Sequence, residues 1–275
     1  MANGDISVDA LLPPAMAVKA ENVGIAKANM DTLTMFMLAI LAGAFIGLGA
    51  EFCTVVVTDN GLGFGMSKLM GGLVFCIGLV LVIVAGAELF TGNNLILMAV
   101  ISGKVPVSKL LRNWGIVYIG NFVGSVATAY FIYLSQQYTM ADGAVGAKAI
   151  AIAAGKCDPS VPFIAYFFKA VYCNAMVCLA VWLCFSARTS TDKILCIIFP
   201  IAGFVASGFE HCVANMYFIP VGIFIKGAMG VEAVNLNWAN FFSVNLLPVT
   251  LGNIVGGAGY VGVFYWIIYS RKKKA

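Results

Sequence analysis

Long charge-poor runs recur along the chain, separated by short polar stretches, at residues 33–57, 69–101, 114–135, 161–186, 194–225 and 241–269. About 20 consecutive apolar residues are enough to cross a bilayer as a helix. Each run meets that length, so the pattern predicts an all-α membrane protein with six transmembrane helices. Two runs are too long for one straight helix. At a rise of about 1.5 Å per residue, the second would reach about 50 Å against a hydrocarbon core of roughly 30 Å. The fifth, 194–225, has the same excess and carries Pro200, Pro220 and the polar pair Glu210-His211. The expected division of the chain is an amphipathic N-terminal segment over 1–31, a six-helix transmembrane domain over 32–270 and a basic tail over 271–275.

Composition sharpens this reading. The chain is 61% hydrophobic and only 10% charged, with a mean hydropathy of +0.97, whereas soluble domains are nearer half apolar and a quarter charged. The net charge of +4 is not gathered into a patch that would track phosphates, so a nucleic-acid partner is excluded. Seven of the eight cysteines lie in apolar runs and Cys157 in a polar loop, with no CxxC pair and no Cys/His cluster. They read as small buried hydrophobes, and no metal or other cofactor is expected. If both termini share a side, that side holds Lys19, Lys27, Lys104, Lys109, Arg112, Arg188, Lys193 and 271–274, which is eleven of the sixteen basic residues. The positive-inside bias then places both termini in the cytoplasm of a multi-pass protein of the cell membrane, surrounded by lipid.

An internal repeat points to a site. Glu88 is followed five residues later by Asn93 in the second run, and Glu210 by Asn215 in the fifth. Gly120-Asn121 and Gly124 in the third run match Gly252-Asn253 and Gly256 in the sixth. Two motifs in the same order mean two three-helix halves. An odd number of crossings per half turns the second upside down, giving a 3+3 inverted repeat whose ligand path lies at the interface of the halves. The over-long second and fifth runs then read as broken helices, since irregular backbone at membrane depth must be buried in protein or line a cavity. Glu88, Asn93, Glu210 and Asn215 are expected to hold the breaks in shape. His211, the only histidine in the chain, sits at such a break and is the leading candidate for contact with a permeating group.

The stretches GAELFTGN (86–93), NAMVCLAVW (174–182), ASGFEHCVANM (206–216) and LPVTLGNIVGG (247–257) resemble the formate/nitrite transporter family of bacterial membrane proteins. The resemblance runs from LLPPAMAVKAENVGIAKA (11–28) to YWIIYSR (265–271). It implies an aquaporin-like homopentamer in which each protomer carries its own pore for small monovalent anions. Formate is the first choice of substrate, since the N-terminal lead-in, FGMSKLMGG and PVTLGNIVGG look most like formate channels; nitrite and hydrosulfide are the alternatives. The resemblance makes His211 the pore histidine and Thr91 its hydrogen-bonding neighbour. It assigns Asn174 and Asn253 to the pore side, and Phe75, Leu79, Phe90, Val177 and Phe204 to two apolar constrictions. Lys156, read as lying in a loop, would attract anions into a vestibule, and Lys169 would either share that role or snorkel to the interface.

Rival classes fit the residues less well. An aquaporin proper would carry twin Asn-Pro-Ala motifs, and neither Asn93-Asn94 nor Asn215-Met216 continues that way. An ammonium channel resembles a twin-histidine pore. No HExxH, GxSxG or metal cluster supports an enzyme, and neighbouring helical residues such as Glu210 and His211 point in different directions. The closer contest is between a passive channel and a proton-coupled carrier, because both use the same residues. The N-terminal segment reads either as a plain interfacial helix or as a pH-dependent gate.

Overall fold

The computed structural model describes residues 10–271. Within them the secondary structure is helical. α1 (Pro13–Asn29) begins with two prolines, whose missing N–H groups cost nothing in a first turn. α2 (Thr32–Val56) is capped by Asp31, whose carboxylate accepts the Thr34 N–H at 2.9 Å. α3 (Phe64–Gly86) ends in a widened π-type turn, and α4 (Leu97–Ile101) follows a 3₁₀ turn over Gly92–Ile96. α5 (Val107–Leu134) and the shorter α6 (Ala144–Lys156) precede α7 (Phe163–Ser186). α8 (Ser190–Ala206) opens on a reciprocal cap between Thr189 and Asp192, and α9 (Cys212–Ala228) opens on His211. α10 (Trp238–Ser270) closes the chain with π-type turns either side of Pro248. Proline has no N–H to give to the helix ladder, which accounts for the widened turn over Phe241–Leu246 just before it.

Five helices among the described residues are long and apolar enough to cross a membrane: α2, α3, α5, α7 and α10. The sixth crossing expected from the sequence is not one helix. Residues 194–225 are divided between α8 and α9, each of 17 residues, with helical geometry lost at 207–211. Residues 69–101 are likewise shared by α3 and the short pair Gly92–Ile101, with Gly86 at φ +91° and Ala87 extended. Of the basic tail, only Arg271 lies within the described residues.

Small residues set the helix spacing. α5 lies along α2, and the last helix along α7. A Cβ on Gly124 of α5 would stand 1.9 Å from the Ile40 carbonyl of α2, and one on Gly256 of α10 would stand 2.0 Å from the Val171 carbonyl of α7. Lipid tails are as apolar as the side chains they replace, so close backbone contact is the main force holding such helices together.

α1 lies against the ends of the longer helices. It buries Met16, Ala17, Ala20, Glu21, Gly24 and Ala28, while Leu12 and Val18 face outward. Buried positions spaced by three and four put mostly small side chains on this face. Glu21 accepts from Ser102 Oγ at 2.7 Å and forms an ion pair with Lys104. Burial works to raise the Glu21 carboxyl, but Lys104, Ser102 and Ser270 outweigh it and hold it below the usual carboxylate range.

Two predictions follow from this packing. Gly124→Ala and Gly256→Ala each destabilise the protein by about 1–3 kcal/mol through overpacking, seen as a lower melting temperature in detergent. Gly115→Ala, where a Cβ meets nothing within 4 Å, does not. Because the folded-state Glu21 pKa is lowered, its contribution to α1 docking is present above the unfolded value of about 4.5 and is lost as pH falls through the folded value. Hydrogen exchange over residues 13–29 therefore stays slow at mildly acidic pH and accelerates only below that range.

Candidate functional site

The two non-helical stretches, 87–91 and 207–211, are held by matching sets of hydrogen bonds. Asn121 of α5 donates to the Ala39 and Glu88 carbonyls at 2.8 and 2.9 Å and accepts the Phe90 N–H at 2.9 Å. Asn253 of α10 donates to the Ala170 and Glu210 carbonyls at 2.8 and 3.0 Å and accepts the Cys212 N–H at 2.9 Å. Each asparagine thus supplies what a helix would have supplied to the backbone that leaves it. The carboxylates are matched as well. Glu88 accepts from Lys27 at 2.6 Å and Asn93 at 2.7 Å, with Asn113 bonded to Asn93 at 2.9 Å. Glu210 accepts from Lys156 at 2.9 Å and Asn215 at 2.6 Å, with Asn245 bonded to Asn215 at 2.7 Å. Lys27 and Lys156 both stand in the last turn of a short helix, α1 and α6.

The stretches meet at His211. Its Nδ1 accepts the Ala214 N–H at 3.1 Å, capping α9, and its Nε2 lies 2.8 Å from Thr91 Oγ1. A ring nitrogen that accepts carries no proton, so this arrangement is a neutral imidazole with the proton on Nε2, which donates to Thr91. Asn174 ties the same point together: it donates to the Thr91 carbonyl at 3.3 Å, to Asn94 Oδ1 at 2.9 Å and to the Asn253 carbonyl at 2.7 Å. Cys178 Sγ also points at the Thr91 carbonyl.

A cavity of about 720 Å³ leads down to His211. Phe75, Phe204 and Phe218 line it, with Phe204 stacked on the imidazole at 6.0 Å and edge-on to Phe75 at 5.8 Å. Asp59, Lys68, Lys148 and Lys156 supply its charges beside Glu210. The Lys156 ammonium is bound to Glu210 and lies 5.5 Å over the Phe218 ring. No ion pair engages Lys68 or Lys148 among the described residues.

The residues singled out from sequence separate into groups. His211, Lys156, Phe75, Phe204, Glu210 and Asn215 line the cavity. Asn174 and Asn253 are fully buried and spend their amides on backbone carbonyls, so they position the stretches. Leu79 and Val177 are buried, at 2% and 1% exposure. Phe90 packs edge-on against Trp114 and Tyr118 and faces a separate apolar groove between α5 and α10. Lys156 closes α6 rather than lying in a loop. Lys169 is exposed on α7, its ammonium 6.0 Å over the Tyr166 ring and outside the cavity lining. Glu210 and His211 have separate partners and form no dyad.

Sequence reasoning missed Lys27, Asn113, Asn245, Phe218, Lys68 and Lys148. Asn113 and Asn245 had a signal, since each stands eight positions before its matched asparagine, 121 and 253. Lys27 and Lys156 had a weaker one as the last lysines before the first long helix of each half.

Comparisons with known proteins bear on this geometry. Residues 14–267 match the family model described as formate/nitrite transporter. The formate channel FocA of Escherichia coli K12 is 42% identical over 98% of this chain and 98% of its own length. A solved structure described as a pentameric formate channel with formate bound superposes with a TM-score of 0.80 at 43% identity, covering 87% of this chain and 98% of that one. Another, described as an FNT family ion channel, gives 0.82 at 30% identity, covering 92% and 98%.

Asn253→Ala removes three hydrogen bonds and strands the buried Cys212 N–H. Leaving such a group unpaired costs about 1–3 kcal/mol. The expected outcome is a lower melting temperature, with Asn121→Ala giving a loss of similar size and Asn240→Ala, in a partly exposed loop contact, giving little.

Proposed function

The chain belongs to the formate/nitrite transporter family, and from that premise we propose that this membrane protein is a channel for small monovalent anions, with formate as its substrate. Nitrite and hydrosulfide are the alternatives within the same chemistry. The protein assembles as a homopentamer in the cell's cytoplasmic membrane, each protomer with its own pore. Both termini face the cytoplasm, and the cavity above His211 faces outward. Residues 32–270 form the channel, with residues 10–31 lying at the cytoplasmic surface; positions 1–9 of the N-terminal segment lie outside the described residues. The two sets of Lys, Glu and Asn contacts support a 3+3 inverted repeat of aquaporin-like form, in which 87–91 and 207–211 are the breaks of its second and fifth helices.

The observation that carries the reading is the contact between His211 and Thr91, which joins the two breaks at the floor of a cavity lined by phenyl rings and lysines. An anion entering from outside first meets Lys68 and Lys148, whose unpaired charges raise its local concentration. Lys156 adds less field than its position implies, because Glu210 balances it. Past Phe75 and Phe204 the anion sheds water, and something must offset its charge there. Thr91 accepts from His211 Nε2, which leaves the threonine hydroxyl proton free to donate to the anion, and rotation of that hydroxyl offers Nε2–H as a second donor. Leu79 and Val177 form the apolar wall beyond.

Proton transfer from His211 is the second reading. It requires an imidazolium, in which Nδ1 no longer accepts from Ala214, so the cap of α9 would have to open. The neutral geometry supports hydrogen-bond donation, and therefore passage of the charged species. The protein is accordingly read as a channel, with no catalytic step and no cofactor.

Two measurements in liposomes test this. His211→Phe lowers formate flux by about 10–100-fold, the equivalent of the roughly 1.5–3 kcal/mol of a hydrogen bond to a charged group, while His211→Asn retains flux with the wild-type pH dependence. Loss of that pH dependence in His211→Asn would instead establish the proton-coupled carrier. Lys68→Gln with Lys148→Gln lowers flux about tenfold at low ionic strength and has little effect in about 0.5 M salt, where the field is screened.

A further inference from the structure

Four glutamates are buried in this chain: Glu21, Glu51, Glu88 and Glu210. Three of them form an ion pair with a lysine, Lys104, Lys27 and Lys156 respectively. Glu51 does not. It lies in α2, 8% exposed, and no ammonium or guanidinium stands within 4.0 Å of it among the described residues. One of its oxygens, Oε2, accepts from Tyr217 of α9 in a short contact, and the other, Oε1, is buried with no partner. Tyr217 is itself fully buried.

The surroundings offer no other countercharge. α3, α5, α6 and α9 pack against α2. Their titratable and charged groups toward this end are Lys68 and Cys76 of α3, Tyr130 and Tyr133 of α5, Lys148 and Lys156 of α6, and Tyr217 and Lys226 of α9. Of these only Tyr217 reaches Glu51. Lys156 is held by Glu210, Lys226 by the Ala233 and Leu236 carbonyls, and Lys68 lies over the Phe64 ring. A carboxylate in the membrane with one donor and one empty oxygen is far more costly than a neutral acid in the same place.

We propose that Glu51 is a proton-binding site inside the membrane, occupied at neutral pH, with Tyr217 as its hydrogen-bonding partner. One carboxylate oxygen takes a proton from hydronium, so that its new O–H bond forms as one O–H bond of hydronium breaks and water is released. The site lies next in sequence to residues of the cavity lining. Cys53, two residues on in α2, and Phe218, next to Tyr217 in α9, both line the cavity that leads to His211. With the proton bound, the field in that cavity is set by Lys68 and Lys148. With the proton lost, a negative charge appears beside those lining residues and opposes anion entry. This second step rests on the anion-channel reading; the proton site does not.

The test uses the full-length protein in liposomes. Infrared difference spectra between wild type and Glu51→Gln at about pH 7 show a protonated-carboxyl C=O stretch that belongs to Glu51 and that shifts in Tyr217→Phe. Glu51→Gln, which mimics the neutral acid, melts at the wild-type temperature at that pH. A spectrum with no such band in wild type, or with carboxylate bands that disappear in Glu51→Gln, overturns the proton site. If Glu51→Gln fails to fold, the same band is sought in wild type alone, by its shift in Tyr217→Phe, and its absence overturns the proposal equally. Raising external pH to about 9.5 lowers formate flux several-fold more in wild type than in Glu51→Gln, which keeps every lysine and so controls for their titration. Equal declines overturn the coupling to the cavity while the infrared result stands. Absence of flux in every protein overturns the channel reading alone.

Discussion

Backbone that leaves a helix inside a membrane has no water to bond to, and every other feature of this protein depends on how that problem is solved. Asn121 and Asn253 solve it. Each uses two amide protons and one carbonyl to satisfy two backbone carbonyls and one backbone N–H. Irregular backbone at this depth survives only when enclosed by protein, and the enclosure comes from glycines at 124 and 256 that let α5 and α10 approach α2 and α7. The Gly-Asn-x-x-Gly motif is therefore one device: glycine sets the distance and asparagine uses it.

From that device follows the electrostatic design. Once 87–91 and 207–211 are held open, Glu88 and Glu210 can be buried there, each tied to a lysine and to an asparagine that is itself bonded to a second asparagine. The lysine–glutamate pairs are close to neutral as units, so they shape the breaks more than they charge the pore. Charge enters instead from Lys68 and Lys148 at the cavity wall. His211 completes the arrangement by capping α9 with Nδ1 and presenting Nε2 to Thr91. One ring thus serves as a structural cap and as a polar group in the cavity lining.

Much of this was legible in the sequence because it is periodic. Glu followed by Asn at five residues, and the two Gly-Asn-x-x-Gly runs, are local patterns that can be aligned by eye. The partners from other helices were not: Lys27 reaches Glu88 across 61 residues, and nothing local marks it. Asn113 and Asn245 lay within reach of the same alignment, eight positions upstream. Phe90 shows the limit of a single sequence, because an aromatic next to a break faces the pore or the groove behind it according to one backbone dihedral. Hydropathy alone merges helices here, since it registers one run over 194–225 where the change of backbone at 207–211 divides it into α8 and α9. Glu51 breaks the first apolar run near its end but carries no role from sequence alone, because one acid there looks like an interfacial residue until its partner, Tyr217, is known.

The central claim is that each protomer passes small monovalent anions between two hydrophobic zones joined at His211 and Thr91. The most direct measurement is flux of formate, nitrite and hydrosulfide, side by side, into liposomes holding the purified protein. The account predicts flux of all three well above protein-free liposomes, with formate fastest. If none of the three enters faster than it does without protein, the account is contradicted.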